Sequence, residues 1–146
     1  MSILFIPIGL PGSGKSTWAK ETDAIVVSSD AIRGELFGDA SIQGDPKRVF
    51  ALMGERTIAA ISAGHDVIYD ATNLTKWARK SIIDKLPASC EVVFVEFTAS
   101  VDVCIKRQNL RTRKVPSEVI INMASRREAV SIDEAGGRKY RIDYID

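Results

Sequence analysis

Short apolar runs rich in β-branched residues alternate along the chain with longer segments of helical periodicity. Continuous apolar runs are typical of strands that are buried on both faces of a sheet. Five strands are predicted, at Ile3–Ile8, 24–28, DVIYDATN, CEVVFVEF and the tail RKYRIDYI. Because strands and helices alternate, we expect a parallel sheet with helices packed on both of its faces.

Six helices are predicted after these strands, over residues 15–22, 31–37, 47–63, 76–86, 101–111 and 117–127. The apolar residues of the longest helix recur at the spacing of a single helix face. They are Val49, Leu52, Met53, Ala60 and Ile61. The segment GDASIQGDP before this helix is a predicted loop, because glycine, aspartate and proline favour turns. The whole pattern predicts one three-layer α/β/α domain over residues 1–146.

The first strand runs into a glycine-rich turn, GLPGSGKST, which opens the first helix. It matches G-x-x-x-x-G-K-[ST], whose backbone N–H groups converge on nucleotide phosphates while the lysine and the hydroxyl serve phosphate and Mg²⁺. A glycine turn of structural role only is disfavoured, because the motif follows a strand and opens a helix. We predict a bound nucleoside triphosphate with Ser16 on the metal, held by Gly9, Pro11, Gly12, Ser13, Gly14, Lys15, Ser16 and Thr17.

Polar residues also follow the third predicted strand, in DVIYDATN. Ligands of open α/β sheets bind at the carboxyl ends of the strands, where an acidic residue commonly supports Mg²⁺ or its waters. Asp70 is the residue predicted for this role, and Thr72 and Asn73 lie just beyond it. The alternative is an aspartate that caps a loop beside a turn asparagine.

The second strand ends in VVSSDAIRGE, where Asp30 and Arg33 are three residues apart. A carboxylate at this edge can orient an acceptor hydroxyl and take its proton, and a guanidinium one helical turn later can hold an anionic group on the acceptor. Equally, Asp30 can cap the helix while Arg33 is solvated. The spacing alone does not separate these alternatives.

A basic segment, IKRQNLRTRKVP, joins the last two helices. Its arginines are suited to a lid over phosphates, where they would neutralise the charge that develops on a transferred group. Arg107 and Arg111 share a helix face because they are four residues apart. The alternatives are a solvated basic face and a patch that touches a nucleic acid backbone. The five basic residues are Lys106, Arg107, Arg111, Arg113 and Lys114, and the predicted lid spans about 105–118.

Composition narrows the class of protein without identifying it. The chain of 146 residues has a net charge of +1, so any attraction to nucleic acid must come from a local patch. Two cysteines do not form a disulfide framework, and we expect free, buried thiols. No signal peptide or membrane span is visible, so a cytoplasmic location is expected. The single His65 disfavours a histidine metal site or a Ser-His triad.

Taken together, GLPGSGKSTWAK, SSDAIR, VIYDATN and KRQNLRTRKVPSEVI resemble the P-loop kinase domain of phage-type 5′-polynucleotide kinases and their stand-alone AAA-type relatives. The resemblance covers about residues 3–127. It implies an adenylate-kinase-like five-stranded parallel sheet under a helical lid. It also implies transfer of the γ-phosphate of ATP, with Mg²⁺, to a 5′-hydroxyl end of DNA or RNA.

The same resemblance assigns roles to individual residues. Lys15 and Ser16 hold phosphates and Mg²⁺, Asp30 corresponds to the general base, and Arg33 and Thr72 contact the acceptor. The lid arginines are Arg107 and Arg111. A D-x-D-x-T motif is missing, so we expect kinase activity without 3′-phosphatase activity. The expected partner is a nucleic acid 5′-hydroxyl end, with no membrane and no obligate protein partner.

Other functions and other residues stay open at this stage. A small-molecule or nucleoside kinase would use the same loop and lid, and a nucleotide-gated switch would use the loop alone. Trp18 is expected in the core. Trp77 is either a partly buried helix residue or a stacking surface for an acceptor base, and Arg79 is either solvated or in contact with acceptor phosphate.

Overall fold

A five-stranded parallel sheet organises the chain in the computed structural model, which describes residues 2–42, 44–112 and 114–146. The strand order is β2-β3-β1-β4-β5. The strands are β1 (Ile3–Ile8), β2 (Ile25–Ser28), β3 (Val67–Asp70), β4 (Glu91–Phe97) and β5 (Tyr140–Ile145). This confirms the predicted parallel α/β sheet.

The helices lie where the sequence predicts them, with shifted ends. They are α1 (Lys15–Lys20), α2 (Ser29–Phe37), α3 (Pro46–Ser62), α4 (Lys76–Ile83), α5 (Val101–Asn109) and α6 (Ser117–Ser125). Five of them end before the predicted residue because the last turns tighten. After α4, for example, the N–H groups of Lys85 and Leu86 donate to Ile82 and Ile83, three residues back, and Pro87 follows. None of the helices in the described ranges is long and apolar enough to cross a membrane.

Alternate residues of the central strands face opposite sides of the sheet and enter two separate cores. The larger core includes Leu4, Ile6 and Ile8 of β1, all fully buried. The smaller one contains Val93, Val95 and Phe97 of β4, with Trp18 packed against it. Trp18 meets the rings of Phe5 and Phe97 edge to face at centroid distances of 6.1 and 5.7 Å. Trp18 is therefore a core-packing residue, as expected, and Cys90 and Cys104 are free and buried.

Asn73 joins the ends of β1 and β3 rather than serving as a ligand. Its backbone has a positive φ of 51°, and its side chain is buried. Its Nδ2 donates to the carbonyl oxygens of Pro7, Tyr69 and Ala71 at 2.8, 3.0 and 3.1 Å. Pro7 lies near the end of β1, as predicted, and its carbonyl oxygen accepts the bond from Asn73.

Arg79 is a buried structural residue, so both alternatives that the sequence left open for it are wrong. Its side chain is fully buried, and its Nε donates to Glu134 Oε1 at 2.8 Å. The guanidinium also donates to the carbonyl oxygens of Asn73, Glu128 and Ala129. It therefore fastens the segment after α6 to the loop that follows β3, a long-range contact that no local pattern reveals.

Replacing Arg79 with methionine should leave the Glu134 carboxylate buried without its cation. We expect Arg79→Met to lower the free energy of unfolding by about 3–5 kcal/mol, measured by urea denaturation. The matched control is Lys80→Met, which removes only an exposed pair with Asp84 and should cost less than about 1 kcal/mol. Equal stability of the two variants would contradict the structural role of Arg79.

Candidate active site

The glycine-rich loop between β1 and α1 is shaped by close contact with α5. Gly12 and Gly14 have positive φ values of 86° and 105°, a conformation that residues with a side chain rarely adopt. A Cβ atom at Gly12 would lie 2.6 Å from the carbonyl oxygen of Cys104. No side chain caps α1 at Gly14, so the first N–H groups of this helix are left for another acceptor.

Lys15 is partly buried beneath this loop. Its Nζ donates to the carbonyl oxygens of Gly9 and Leu10 at 2.8 and 3.0 Å. Burial lowers the pKa of Lys15 to about 8, although the negative charge of Asp70 opposes the shift. The charge of Lys15 therefore titrates near pH 8, next to the glycine-rich loop.

Asp70 ends β3 beside the lysine. It is paired in register with Ser28 of β2, so the residues that follow these two strands lie at one edge of the sheet. Burial raises the pKa of Asp70, Lys15 lowers it, and the neighbouring Asp30 raises it. The predicted meeting of Asp30, Lys15 and Asp70 is thus present in the structure.

The start of α2 separates the alternatives for Asp30 and Arg33. The helix is capped by Ser28, whose Oγ accepts from the N–H of Ala31 at 3.2 Å, so Asp30 is not the cap. Arg33 donates to Asp30 Oδ1 at 2.9 Å and its side chain is only 13% exposed, so it is not solvated. Its Nε is buried and has no hydrogen-bond partner among the described residues. Asp30 and Arg33 thus form an ion pair in which the Nε of the arginine has no hydrogen-bond acceptor among the described residues.

The arginines predicted to form a lid, Arg107 and Arg111, approach the loop from α5 and from just after it. Arg107 Nη1 donates to the carbonyl oxygen of Gly12 at 3.2 Å. Arg111 is close enough to Lys15 for its charge to lower the lysine pKa. Gln108 Oε1 accepts from the N–H of Val115 at 3.1 Å, which joins α5 to a residue just before α6. Arg113, another predicted lid residue, lies outside the described residues.

Two cavities open on either side of the loop and share Gly12, Gly14 and Arg111. The first, of about 520 Å³, is also lined by Ser13, Thr17, Trp18, Phe97, Arg107 and Leu110. The second, of about 440 Å³, brings together Pro11, Lys15, Ser16, Asp30, Arg33, Asp70 and Thr72. The second cavity therefore connects the glycine-rich loop between β1 and α1, called the phosphate loop below, with every predicted acceptor residue, including Thr72.

Trp77 and Lys106 stand apart from this arrangement. Trp77 is 81% exposed, so the expectation of a partly buried helix residue is wrong, and it lines neither cavity. Lys106 is exposed on α5 and also lines neither cavity. Of the basic segment, Arg107, Arg111 and Lys114 are the described residues that reach a cavity.

The residues present fit a magnesium ion bound together with a nucleotide. Mg²⁺ is usually held by one or two carboxylates, phosphate oxygens and water rather than by a cage of protein ligands. Ser16 and Asp70 offer a hydroxyl and a carboxylate in the second cavity. Within the described ranges, no group of three or more histidine, cysteine, aspartate or glutamate side chains is arranged to hold a metal, so the ion would depend on the phosphates.

Arg127 supports the site and was missed by the sequence analysis, which placed it at the end of the last helix. Its Nη2 donates to Glu96 Oε2 at 2.7 Å and to the carbonyl oxygens of Ile8 and Phe97 at 3.4 and 3.0 Å. It therefore ties the segment after α6 to the strand ends that flank the phosphate loop. An arginine at a helix end is too common to indicate such a role.

The phosphate loop, the order of the parallel strands and the helical cover define a P-loop kinase fold. Residues 4–130 match the family AAA_33, described as an AAA domain, and the chain belongs to this family. The predicted P-loop kinase class is confirmed by this match, whereas the narrower phage-type 5′-polynucleotide kinase assignment stays a prediction.

Solved structures share the fold at low sequence identity. A chain of the Pnkp1/Rnl/Hen1 RNA repair complex is 24% identical with a TM-score of 0.76, over 86% of this chain and 43% of that one. A fungal RNA kinase is 12% identical with a TM-score of 0.66, over 99% and 74% of the two chains. A gluconokinase from Sinorhizobium meliloti 1021 is 22% identical with a TM-score of 0.60, over 96% and 81%. This chain therefore spans less than half of the RNA repair protein that it matches.

The lowered pKa of Lys15 predicts a pH-dependent nucleotide affinity. Lys15 is charged below pH about 8 and neutral above it, so the dissociation constant for ATP should rise above that pH by up to about tenfold per unit. Binding can be followed by the fluorescence of Trp18, which lines the first cavity, in a Trp77→Phe background.

Two variants test the assignment of that pH dependence to Lys15. Lys15→Met should bind ATP weakly and lose the pH dependence, because the titrating group is gone. Lys20→Met, which alters an exposed lysine in the last turn of the same helix, should keep the wild-type profile. An unchanged affinity of the wild type between pH 7 and 9.5 would refute the assignment.

Proposed function

We propose that the chain is an ATP-dependent kinase that phosphorylates 5′-hydroxyl ends of DNA or RNA. The observation that carries this proposal is the second cavity, in which the phosphate loop and the Asp30–Arg33 pair face a common space. A donor phosphate and an acceptor hydroxyl can meet there. The fold shared with an RNA kinase and with a chain of an RNA repair complex supports the same conclusion.

The donor nucleotide would occupy both cavities. The phosphates lie in the glycine loop, where Lys15 exchanges its bonds to Gly9 and Leu10 for bonds to phosphate oxygens. The base enters the first cavity, whose lining includes the apolar side chains of Trp18, Phe97 and Leu110. Mg²⁺, held by Ser16 and Asp70 together with the phosphates, would neutralise phosphate charge.

At the acceptor, Asp30 would accept the proton of the 5′-hydroxyl as its oxygen bonds to the γ-phosphorus. The bond from that phosphorus to the bridging oxygen breaks, and ADP leaves. Arg33 would hold an anionic phosphate of the acceptor, which satisfies the buried Nε that has no partner among the described residues. Arg107 and Arg111 would stabilise the charge that develops on the transferred group.

A small-molecule acceptor is the second candidate function. The gluconokinase shares the fold over most of both chains, and an arginine that holds an anion would serve an acidic sugar as well as a nucleotide. The two candidates differ in the acceptor alone, so one assay with both kinds of acceptor separates them.

The decisive experiment measures label transfer from γ-labelled ATP to 5′-hydroxyl DNA, 5′-hydroxyl RNA, nucleosides and gluconate. We expect transfer to strands, and we expect Asp30→Ala to lower its rate by about 10²–10⁴-fold with ATP binding kept. Asp84→Ala removes an exposed carboxylate at the C-cap of α4 that lines neither cavity, so this variant serves as the control and should transfer normally.

Each other result has a definite meaning. Transfer to gluconate or nucleosides without transfer to strands would replace the proposal with the small-molecule kinase. Binding of ATP with no transfer to any acceptor, in wild type and variant alike, would favour the nucleotide-gated switch.

A further inference from the structure

Two apolar side chains that line the second cavity stay exposed. Phe50 of α3 is 37% exposed and Val119 of α6 is 38% exposed. Neither is among the buried or partly buried residues of the two hydrophobic cores. Both line the cavity that holds Asp30 and Arg33. Their apolar surface is therefore available to a ligand in that cavity.

The helix positions explain why these two side chains leave the core. On α3 the neighbouring Val49 and, one turn later, Met53 are fully buried. Phe50 is one residue past Val49 and is rotated by about 100° from it around the helix axis. On α6 the fully buried residue is Ile120, and Val119 is rotated away from it in the same manner. Each helix thus keeps one face in the core and also presents an exposed apolar residue to the cavity.

The lining of the second cavity consequently includes two chemically different kinds of side chain. Polar groups are supplied by the carboxylate of Asp30, the guanidinium of Arg33 and the hydroxyl of Ser41. Phe50 and Val119 line the same cavity and offer neither donors nor acceptors. A polyhydroxylated acid placed against these carbon surfaces would lose hydrogen bonds to water without replacement. A flat aromatic ring linked to a hydroxyl and a phosphate matches both kinds of side chain.

We propose that Phe50 and Val119 bind the base of the acceptor's 5′-terminal nucleotide, Phe50 by stacking and Val119 by apolar contact. This assignment rests on the proposed function and specifies its acceptor as a nucleotide with an intact terminal base. Stacking of a base on an aromatic side chain is a sequence-tolerant interaction, because every base has an aromatic face. The two side chains would therefore detect the presence of a base rather than its identity.

The test compares two acceptor strands in the label-transfer assay with each enzyme variant. One strand carries a normal 5′-terminal nucleotide, and the other carries an abasic 5′-terminal unit with the same 5′-hydroxyl and 3′-phosphate. We expect Phe50→Ala to lower kcat/KM for the normal strand by about 5- to 100-fold. For the abasic strand the wild type should already be slower by a similar factor, and Phe50→Ala should lower it no further.

Matched variants separate base binding from a structural effect. Phe50→Trp keeps an aromatic face and should retain most of the activity on the normal strand. Val119→Ala should weaken the normal strand more than the abasic one. Ile121→Ala, on the same helix with a side chain 53% exposed and outside the cavity, should act like the wild type. The KM for ATP should be unchanged throughout.

The outcomes distinguish this inference from the proposed function. An equal loss on normal and abasic strands, or no loss on either, would overturn base binding by Phe50 while the kinase assignment stands. A wild-type enzyme that labels no 5′-hydroxyl strand would overturn the proposed function itself, and the base assignment with it.

Discussion

The molecule depends on hydrogen bonds between backbone carbonyl groups and cations that are buried or partly buried. A positive charge that leaves water needs partners, and the carbonyl oxygens at strand and helix ends supply them. Lys15 uses Gly9 and Leu10, Arg127 uses Ile8 and Phe97, and Arg79 uses Asn73, Glu128 and Ala129. These contacts join loops that would otherwise be free at the carboxyl edge of the sheet.

The three cations differ in whether a carboxylate neutralises their charge. This difference separates the two structural arginines from Lys15, which is expected in the active site. Arg79 and Arg127 each have a carboxylate within 2.8 Å in addition to the carbonyl groups. Lys15 has the two carbonyl groups, and the depression of its pKa to about 8 is the sign that burial outweighs the nearby negative charges. A phosphate that arrives at Lys15 supplies the missing charge, so binding and protonation of this lysine support each other.

The elements with strong local patterns could be predicted from the sequence. β1 and β4 are continuous apolar runs, so their ends were predicted almost correctly. The phosphate loop was predicted because its glycines have a fixed spacing before a helix. The start of α2 was less certain because Ser28 and Asp30 are both good caps, and only the structure shows that Ser28 accepts the N–H of Ala31. The local pattern cannot choose between two caps two residues apart.

Contacts between distant residues could not be predicted at all. Arg79 meets Glu134 across 55 positions and Arg127 meets Ile8 across 119, whereas hydrophobic periodicity and capping signals act within a few residues. Phe50 illustrates the same limit in the site, since its spacing is that of an ordinary helix residue. Its position in the cavity depends on how α3 packs against α2. An ion pair between Arg56 of α3 and Glu35 of α2, at 2.6 Å, joins the two helices.

The mixed polar and apolar lining of the second cavity bears on how one fold could serve different acceptors. In the proposed mechanism the phosphate loop, Lys15, Arg107 and Arg111 act on the donor, so they place no demand on the acceptor beyond a hydroxyl near the γ-phosphate. Arg33 would add a preference for negative charge, because an uncharged acceptor would leave its buried Nε without an anionic partner. Phe50 and Val119 lie on helices outside the phosphate-binding elements. Under the proposed assignment, exchange of these two side chains would change the acceptor without disturbing phosphoryl transfer, so acceptor specificity would depend on the site rather than on the fold.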